Sequence, residues 1–310
     1  MIPYDSPKML ADFLSRRGLA LKKRFGQNFL VNPGVRERIL RCLAPAAGDL
    51  IWEIGPGLGC MTRPLLESGA RLRVFEIDRG FMEILREEFG GRDGFTLTGG
   101  DVLATWGDHR GEGPDKVFGN LPYASAAAII AAFLEEGFIP ELGVFMVQKE
   151  VARRMTAAPG SPDYSSFSLL CRTFCRVRTL FDVAPGSFFP APGVVSTLVE
   201  LRPRIPAPVP GWGPGLSPGA GAGEGLGPEP EIPHRRLYLE LLRALFSSRR
   251  KTVRNNLLRF AGETGRSPDW AARILAEAGL DPGVRAENLD VEDLARLTEA
   301  AAGGGPEREG

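Results

Sequence analysis

The sequence predicts an α/β protein: a seven-stranded sheet interleaved with helices, followed by a small all-helical domain. Three observations carry that prediction. Residues 49–202 alternate short β-branched or aromatic runs with helix-like stretches, the order that builds a sheet with helices between its strands. Residues 203–233 hold nine Pro and eight Gly, so 17 of 31 positions resist regular structure and the stretch reads as a flexible linker or disordered insertion. Residues 234–302 read as three or four short helices, punctuated at Gly262, Gly265, Pro268, Gly279 and Pro282.

The elements follow in order. Residues 1–48 form a basic N-terminal arm with the first helices, counted with the first domain. Within residues 8–41, nine cations (Lys8, Arg16, Arg17, Lys22, Lys23, Arg24, Arg36, Arg38 and Arg41) stand against Asp12 and Glu37. Strands are expected at Leu50–Ile54, Leu72–Glu76, Phe95–Thr98, Lys116–Gly119, Val144–Gln148, Thr179–Val183 and Ser196–Leu201, each a short run of the residue types that suit a pleated surface. Helices are expected to start near Gly59, Arg79, Ser125, Lys149 and Ser165. The tail 303–310 is expected to fray.

Composition narrows the function. The chain has 310 residues, enough for two domains. Lys plus Arg is 38 and Asp plus Glu is 38, which excludes a uniformly polybasic nucleic-acid binder and leaves local basic patches open. Two His (His109, in an expected loop, and His234, beside the linker) exclude multi-His metal sites, and no Cys-x-x-Cys knuckle occurs, so no metal is expected. Cys171 and Cys175, four apart on an expected helix with Leu170 and Phe174, read as buried core thiols. The N-terminus lacks the apolar core of a secretory leader. The longest apolar run, Ala126–Leu134, is nine residues where a membrane span needs about 20. The expectation is a soluble, cytoplasmic protein.

Two loops carry the chemistry. Gly55-Pro56-Gly57-Leu58-Gly59 follows a strand and opens a helix, where glycines let a ligand approach the backbone and its free N–H groups. Its spacing is not that of dinucleotide binders. Glu76 ends the second strand, 17 residues past Gly59, where an acidic residue accepts from ribose hydroxyls. Asp101 follows the third strand, where an adenine amino group could be held. Three such groups at successive strand ends mark a nucleoside site.

The second loop, Asn120-Leu121-Pro122-Tyr123, follows the fourth strand. An aromatic exocyclic amine is a poor nucleophile because its lone pair is delocalised into the ring. Acceptors around its two N–H groups favour a pyramidal nitrogen with its lone pair aimed at an electrophile. The Asn120 side-chain oxygen and the Leu121 carbonyl can supply two acceptors. Pro122 stiffens the loop, and Tyr123 offers a face for a base to stack on. No strong base is needed, since the amine becomes acidic once methylated.

The chain closely resembles the ribosomal RNA adenine N6-dimethyltransferases, and within them the bacterial KsgA type. The matching motifs are, in order, Phe25–Leu30, Glu53–Gly59, Glu76-Ile77-Asp78, Gly100-Asp101, Asn120–Tyr123, Gln148–Val151, Phe188-Phe189-Pro190, Arg249–Asn255 and Arg285–Asn288. They span about residues 22–202 and 235–300. The resemblance implies a class I S-adenosylmethionine-dependent methyltransferase with a Rossmann-like seven-stranded sheet. It implies that Asn28 and Leu30 close the cofactor pocket, that Gly55, in the loop with Gly57, packs on the methionine part, that Glu76 takes the ribose, and that Asp101 takes the adenine. It implies that Asn120 touches both cofactor and target amine, while Tyr123 and Phe188 sandwich a flipped adenine, as enzymes acting on a base require. The chain departs from the family pattern at Ala124, at Gly193-Val194-Val195 and in the length of the 203–233 insertion.

Methyl transfer to RNA needs cations for the phosphate backbone. Lys22-Lys23-Arg24 is one candidate cluster. Residues 235–259 are another, with eight Lys/Arg against Glu240, including Arg249, Arg250, Lys251 and Arg254. On one helix Arg243, Arg250 and Arg254 would share a face, beside an apolar face of Leu242, Phe246, Val253 and Leu257. The expected reaction is double methylation of the N6 amines of two adjacent adenines near the 3′ end of 16S rRNA, in the small ribosomal subunit, by a monomer with a role in subunit biogenesis. Three other readings compete. A macrolide-resistance enzyme acting on 23S rRNA shares the first-domain motifs, but the Arg249–Asn255 and Arg285–Asn288 motifs favour the small subunit. Intact Glu76, Asp101 and Asn120 speak against a non-catalytic RNA-binding assembly factor. Leu121 and the arm motif speak against a DNA or protein amide methyltransferase with an Asn-Pro-Pro-Tyr loop.

Overall fold

Ser6 and Asn32 each precede a proline, and each caps a helix. In the computed structural model, which describes residues 2–22, 26–204 and 234–303, Ser6 accepts from the Met9 N–H at the start of α1 (Pro7–Arg16). The short strand β1 (Phe29–Leu30) follows. Asn32 then accepts from the Val35 N–H to open α2 (Pro33–Leu43). Both prolines sit where a helix has no N–H to lose.

The expected alternation comes next: β2 (Leu50–Ile54), α3 (Thr62–Glu67), β3 (Arg71–Glu76), α4 (Arg79–Phe89), β4 (Phe95–Gly99) and α5 (Val102–Thr105). It continues through β5 (Lys116–Asn120), α6 (Ala126–Glu135), β6 (Leu142–Gln148), α7 (Lys149–Thr156), α8 (Ser166–Phe174), β7 (Cys175–Val183), β8 (Phe188–Phe189) and β9 (Ser196–Pro203). Four helices end the described chain: α9 (Arg235–Phe246), α10 (Val253–Glu263), α11 (Pro268–Glu277) and α12 (Val291–Gly303). The expected linker from residue 205 to 233, and the expected tail from 304, lie outside the described residues.

Seven strands form one sheet in the order β4-β3-β2-β5-β6-β9-β7. β2 to β6 pair in parallel, and β9 returns antiparallel to β6. Chain order reverses between β2 and β5, the switch point where open α/β sheets leave a crevice at the strands' C-terminal ends. The glycine loop follows β2 and Asn120 ends β5, so the switch point joins the two loops singled out by sequence. β6 is buried from Leu142 through Val147, as a strand covered on both faces must be. On one face α2 and α3 contribute Ile39, Leu43 and Leu65 to a core with Leu72, Val74, Val144 and Met146. Beside the sheet, β1 and β8 pair antiparallel, with Leu30 opposite Phe188 and Phe29 opposite Phe189.

The described residues divide into two units. The first contains the sheet: residues up to 133, 138–152 and 177–203. The second contains 134–137, 153–176 and the described residues from 204 onward. The division expected from sequence placed all of 49–202 in one unit; the structure instead groups 153–176 with the C-terminal helices. Side chains explain the grouping. The Tyr164 hydroxyl donates to the Leu289 carbonyl at 2.8 Å. The Thr173 and Tyr238 hydroxyls meet at 2.5 Å, both buried.

Four expectations about single elements need correcting. The helix expected near Gly59 starts at Thr62, because Gly55, Gly57 and Gly59 all have positive φ. Cys175 does not share a helix with Cys171: it ends α8 and begins β7, with both thiols buried and pushed up by that burial. The single helix expected to align Arg243, Arg250 and Arg254 is broken between Phe246 and Val253, where the Thr252 hydroxyl caps α10 by accepting from the Asn255 N–H. Arg243 and Arg254 therefore stand on different helices and Arg250 stands between them. His109 lies in a 3₁₀ turn, Trp106–Glu112, rather than a loop.

Candidate active site

The glycine loop is bound to its acidic partner. The Gly57 N–H donates to Glu76 Oε2 at 3.1 Å, and the Asp78 N–H donates to Glu76 Oε1 at 2.8 Å. A Cβ on Gly57 would come within 3.1 Å of the Phe29 ring, so the arm closes directly over the loop. Gly55 has φ +68, and a Cβ there would stand 3.7 Å from the Asn120 carbonyl oxygen. Glycine thus keeps open the gap between the ends of β2 and β5, where a methionine-like chain could lie. That space fits the expected cofactor.

Burial pushes the Glu76 carboxyl up, the two N–H donors pull it down, and the nearby Asp78 charge raises it again; the balance is about 7. Behind the loop, Glu53 on β2 is fully buried and accepts from the Thr62 hydroxyl at 2.6 Å. Burial outweighs that bond and holds the Glu53 carboxyl up at about 8.

Asp101 caps α5, its carboxylate accepting from the Leu103 N–H at 3.0 Å, and it is exposed. The adjacent Gly100 N–H donates to the Glu76 carbonyl at 2.8 Å, which ties the ends of β3 and β4 together. Sequence reasoning missed the apolar surface beside these acids. Ile77 and Leu103 are 41% and 40% exposed, two of four large hydrophobic side chains so exposed among the described residues. Each lies within two residues of an acid assigned to a nucleoside, and apolar surface there suits a purine ring.

The Asn120 loop is held from three sides. The Asn120 side-chain amide donates to the Asn28 carbonyl at 3.0 Å, leaving its oxygen as an acceptor turned elsewhere. The Leu121 N–H donates to the Met146 carbonyl at 3.1 Å, and the Leu121 side chain is buried. A Cβ on Gly26 would lie 3.5 Å from Pro122, so the arm rests against the loop. Tyr123 is half-buried, and its hydroxyl meets the buried Ser196 hydroxyl at 2.8 Å. Phe188 is only 4% exposed and sits in the core with Leu30. Neither Ser196 nor Thr62 carried a sequence signal. Each is an ordinary hydroxyl until the sheet places it.

The expected cation clusters divide. Lys22, itself exposed, pairs with the buried Asp78 at 2.9 Å. Lys23 and Arg24 lie outside the described residues. In the second unit, Arg249 donates to the Tyr164 and Pro162 carbonyls at 3.0 and 3.2 Å and buttresses that loop. Arg250, Lys251 and Arg254 are exposed and make no ion pair among the described residues. No group of three His, Cys, Asp or Glu side chains able to hold a metal occurs among the described residues. No helix among them is long and apolar enough to cross a membrane.

With that geometry in place, comparison with known proteins is direct. The family model for ribosomal RNA adenine dimethylase matches residues 18–212. The chain belongs to the ribosomal RNA adenine dimethylase family. Members of the family are S-adenosylmethionine-dependent methyltransferases. A ribosomal RNA small subunit methyltransferase A from Treponema pallidum is 40% identical over 301 residues, covering 96% of each chain. Among solved structures, a dimethyladenosine transferase from Plasmodium falciparum superposes with TM-score 0.64 at 23% identity, covering 86% of this chain and 94% of its own. The 23S rRNA methyltransferase ErmE superposes with TM-score 0.58 at 22% identity, covering 89% and 100%. Likenesses at that identity establish the methyltransferase fold and leave the choice of RNA to other observations.

Proposed function

We propose that this dimethylase acts on the small ribosomal subunit, converting the N6 amines of two adjacent adenines near the 3′ end of 16S rRNA to dimethylamines, in the cytoplasm and as a monomer. The Asn120 carboxamide carries the reading. Its amide nitrogen is turned to the Asn28 carbonyl, so the oxygen, an acceptor, is the end left to face a target amine. That polarity fits a donor amine and would repel a carbonyl substrate. The near full-length similarity to a small subunit methyltransferase, which includes the C-terminal helices, favours the small subunit over 23S rRNA.

The bound cofactor supplies an electrophilic methyl group on a sulfonium. Asn28, Leu30, Gly55 and Gly57 would line its methionine part, Glu76 would accept from its ribose, and Asp101, with Ile77 and Leu103, would hold its adenine. Asn120 and the Leu121 carbonyl would accept from the target N6 hydrogens and aim the lone pair, with Pro122 keeping the loop stiff. The base would stack on Tyr123. Phe188, now buried, would provide the second face when the base enters; its pairing opposite Leu30, two residues past the Asn28 carbonyl that holds Asn120, supports this. Arg250, Lys251 and Arg254 would meet phosphates.

Incubating the protein with tritiated S-adenosylmethionine and unmethylated small subunits, and in a parallel reaction with large subunits, followed by nucleoside analysis, tests the reading. Label in N6,N6-dimethyladenosine at two neighbouring positions is expected. Label only in large-subunit RNA, or cofactor binding without transfer, would overturn it.

A further inference from the structure

We propose that Gln27 is a positioning residue for methyl transfer, tying the arm to Asp78 and so setting the Asn28 carbonyl that orients Asn120. The inference rests on the acceptor role given to Asn120 above.

The connection is short and polar throughout. Gln27 Oε1 accepts from the Lys22 N–H at 2.7 Å, and Gln27 Nε2 donates to Asp78 Oδ2 at 3.0 Å. Asp78 is 2% exposed and sits two residues past Glu76, on the cofactor side of the switch point. It also receives the Lys22 ammonium at 2.9 Å and the Gly80 N–H at 3.0 Å. Burial alone would raise its carboxyl; these donors hold it below the ordinary range, so it is a fixed anion and a firm anchor. Gln27 is therefore stitched to the protein at both ends of its carboxamide.

One residue later the chain reaches the chemistry. Asn28 Nδ2 donates to the Gly26 carbonyl at 3.0 Å, folding the arm tightly around Gln27. The Asn28 carbonyl then accepts from Asn120 Nδ2 at 3.0 Å. A carboxamide has two faces of opposite polarity, and the wrong one would set N–H against the N–H of the target amine. The Asn28 carbonyl selects the productive face. Gln27 selects where that carbonyl stands. Preorganised acceptors matter most where charge develops, so a small displacement should be felt in turnover rather than in cofactor affinity.

Gln27→Ala should lower kcat about 10-fold at saturating RNA and cofactor. The cofactor Kd by calorimetry, measured without RNA, should stay within about threefold, because Lys22 and Gly80 still satisfy Asp78. Gln27→Glu can no longer donate to Asp78 and should be at least as slow. In the Q27E/D78N double variant the bond is restored with reversed polarity: the new carboxamide nitrogen at position 78 donates to the new carboxylate at position 27, which takes over the Lys22 ammonium lost from position 78, and a carboxamide oxygen still caps α4. It should regain most of the lost kcat, a recovery that general destabilisation would not produce. An unchanged kcat in both single variants would overturn the proposal. So would a rise in cofactor Kd that accounts for the whole loss, or a double variant no faster than Q27E. Asn120→Ala assayed in parallel separates the two ideas: full activity there sinks the acceptor role itself, whereas an inactive Asn120→Ala beside a fully active Gln27→Ala sinks only the role of Gln27.

Discussion

The hydroxyls of Tyr123 and Ser196 meet at 2.8 Å, joining the catalytic loop to the first residue of β9. Ser196 is wholly buried, so the bond fixes the tilt of the Tyr123 ring rather than merely solvating its tip. A base stacking on Tyr123 depends on that tilt. Ser196→Ala should raise KM for RNA about fivefold, on the order of 1 kcal/mol, as expected for one hydrogen bond. Cofactor affinity should not move. Steady-state kinetics with RNA as the varied substrate checks this; an unchanged KM would show that the ring needs no tether.

The Asn120 side chain gives its nitrogen to the arm and, in the proposed site, its oxygen to the target amine. Asn120→Ala should lower kcat at least 100-fold, about 3 kcal/mol of transition-state stabilisation. Cofactor binding should remain measurable, since Glu76 and the glycine loop keep their mutual bond. Asn120→Asp restores an acceptor but sets a carboxylate against the Asn28 carbonyl, and should recover little. Single-turnover methylation with calorimetry on the same samples resolves the two effects.

Glu76 and Glu53 make pH act in two directions. In the proposed site ribose hydroxyls would donate to Glu76, so its ionised form would bind the cofactor better. Its carboxyl titrates at about 7. Cofactor affinity should therefore strengthen as pH rises through 7 and weaken as it falls. Stability runs the other way. Burial raises both carboxyls above the ordinary 4.5, to about 7 and about 8, so the folded chain holds protons that the unfolded chain has lost. Their contribution is complete below about 4.5 and declines as pH climbs toward 8. Each unit of separation corresponds to about 1.4 kcal/mol. Glu53→Gln keeps an acceptor for Thr62 and should flatten the alkaline fall in Tm without cofactor. A variant that tracks the parent protein at every pH would refute the neutral-carboxyl reading.

Adjacent arginines in the second unit do different work. Arg249 holds two backbone carbonyls, whereas Arg250, Lys251 and Arg254 face solvent. Arg249→Ala should lower Tm by a few degrees, the shift expected for about 1 kcal/mol in a domain of this size. The triple reversal of Arg250, Lys251 and Arg254 to Glu should leave Tm near its starting value. It should weaken RNA binding and flatten its salt dependence by about two to three in log–log slope, close to one per lost phosphate contact. Filter binding across a salt series, beside thermal melts, distinguishes the roles.

Much of the fold was legible because its signals are local. Strand residues Leu50–Ile54 are apolar apart from one acid, and the structure returns those bounds unchanged. The helix starts at Pro7 and Pro33, not among those expected, carry a local mark of the same kind: a proline directly after a capping Ser6 or Asn32. The break between α9 and α10 was not legible, since apolar spacing runs smoothly through it and only the Thr252 cap ends the pattern. In the sequence Lys22 is a charge without a direction; only the fold shows that Asp78, 56 positions away, pairs with it.

By itself the sequence determined the order of strands and helices, the two loops at the ends of β2 and β5, and the chemical types gathered there, because each depends on residues within a turn or two of one another. Tertiary structure decided which end of the Asn120 carboxamide is turned to the arm, which cations are paired and which stand exposed, and which carboxyls burial pushes up. Those depend on burial and on partners far away in the chain, such as Asn28 for Asn120 and Ser196 for Tyr123, which only the folded sheet brings within reach.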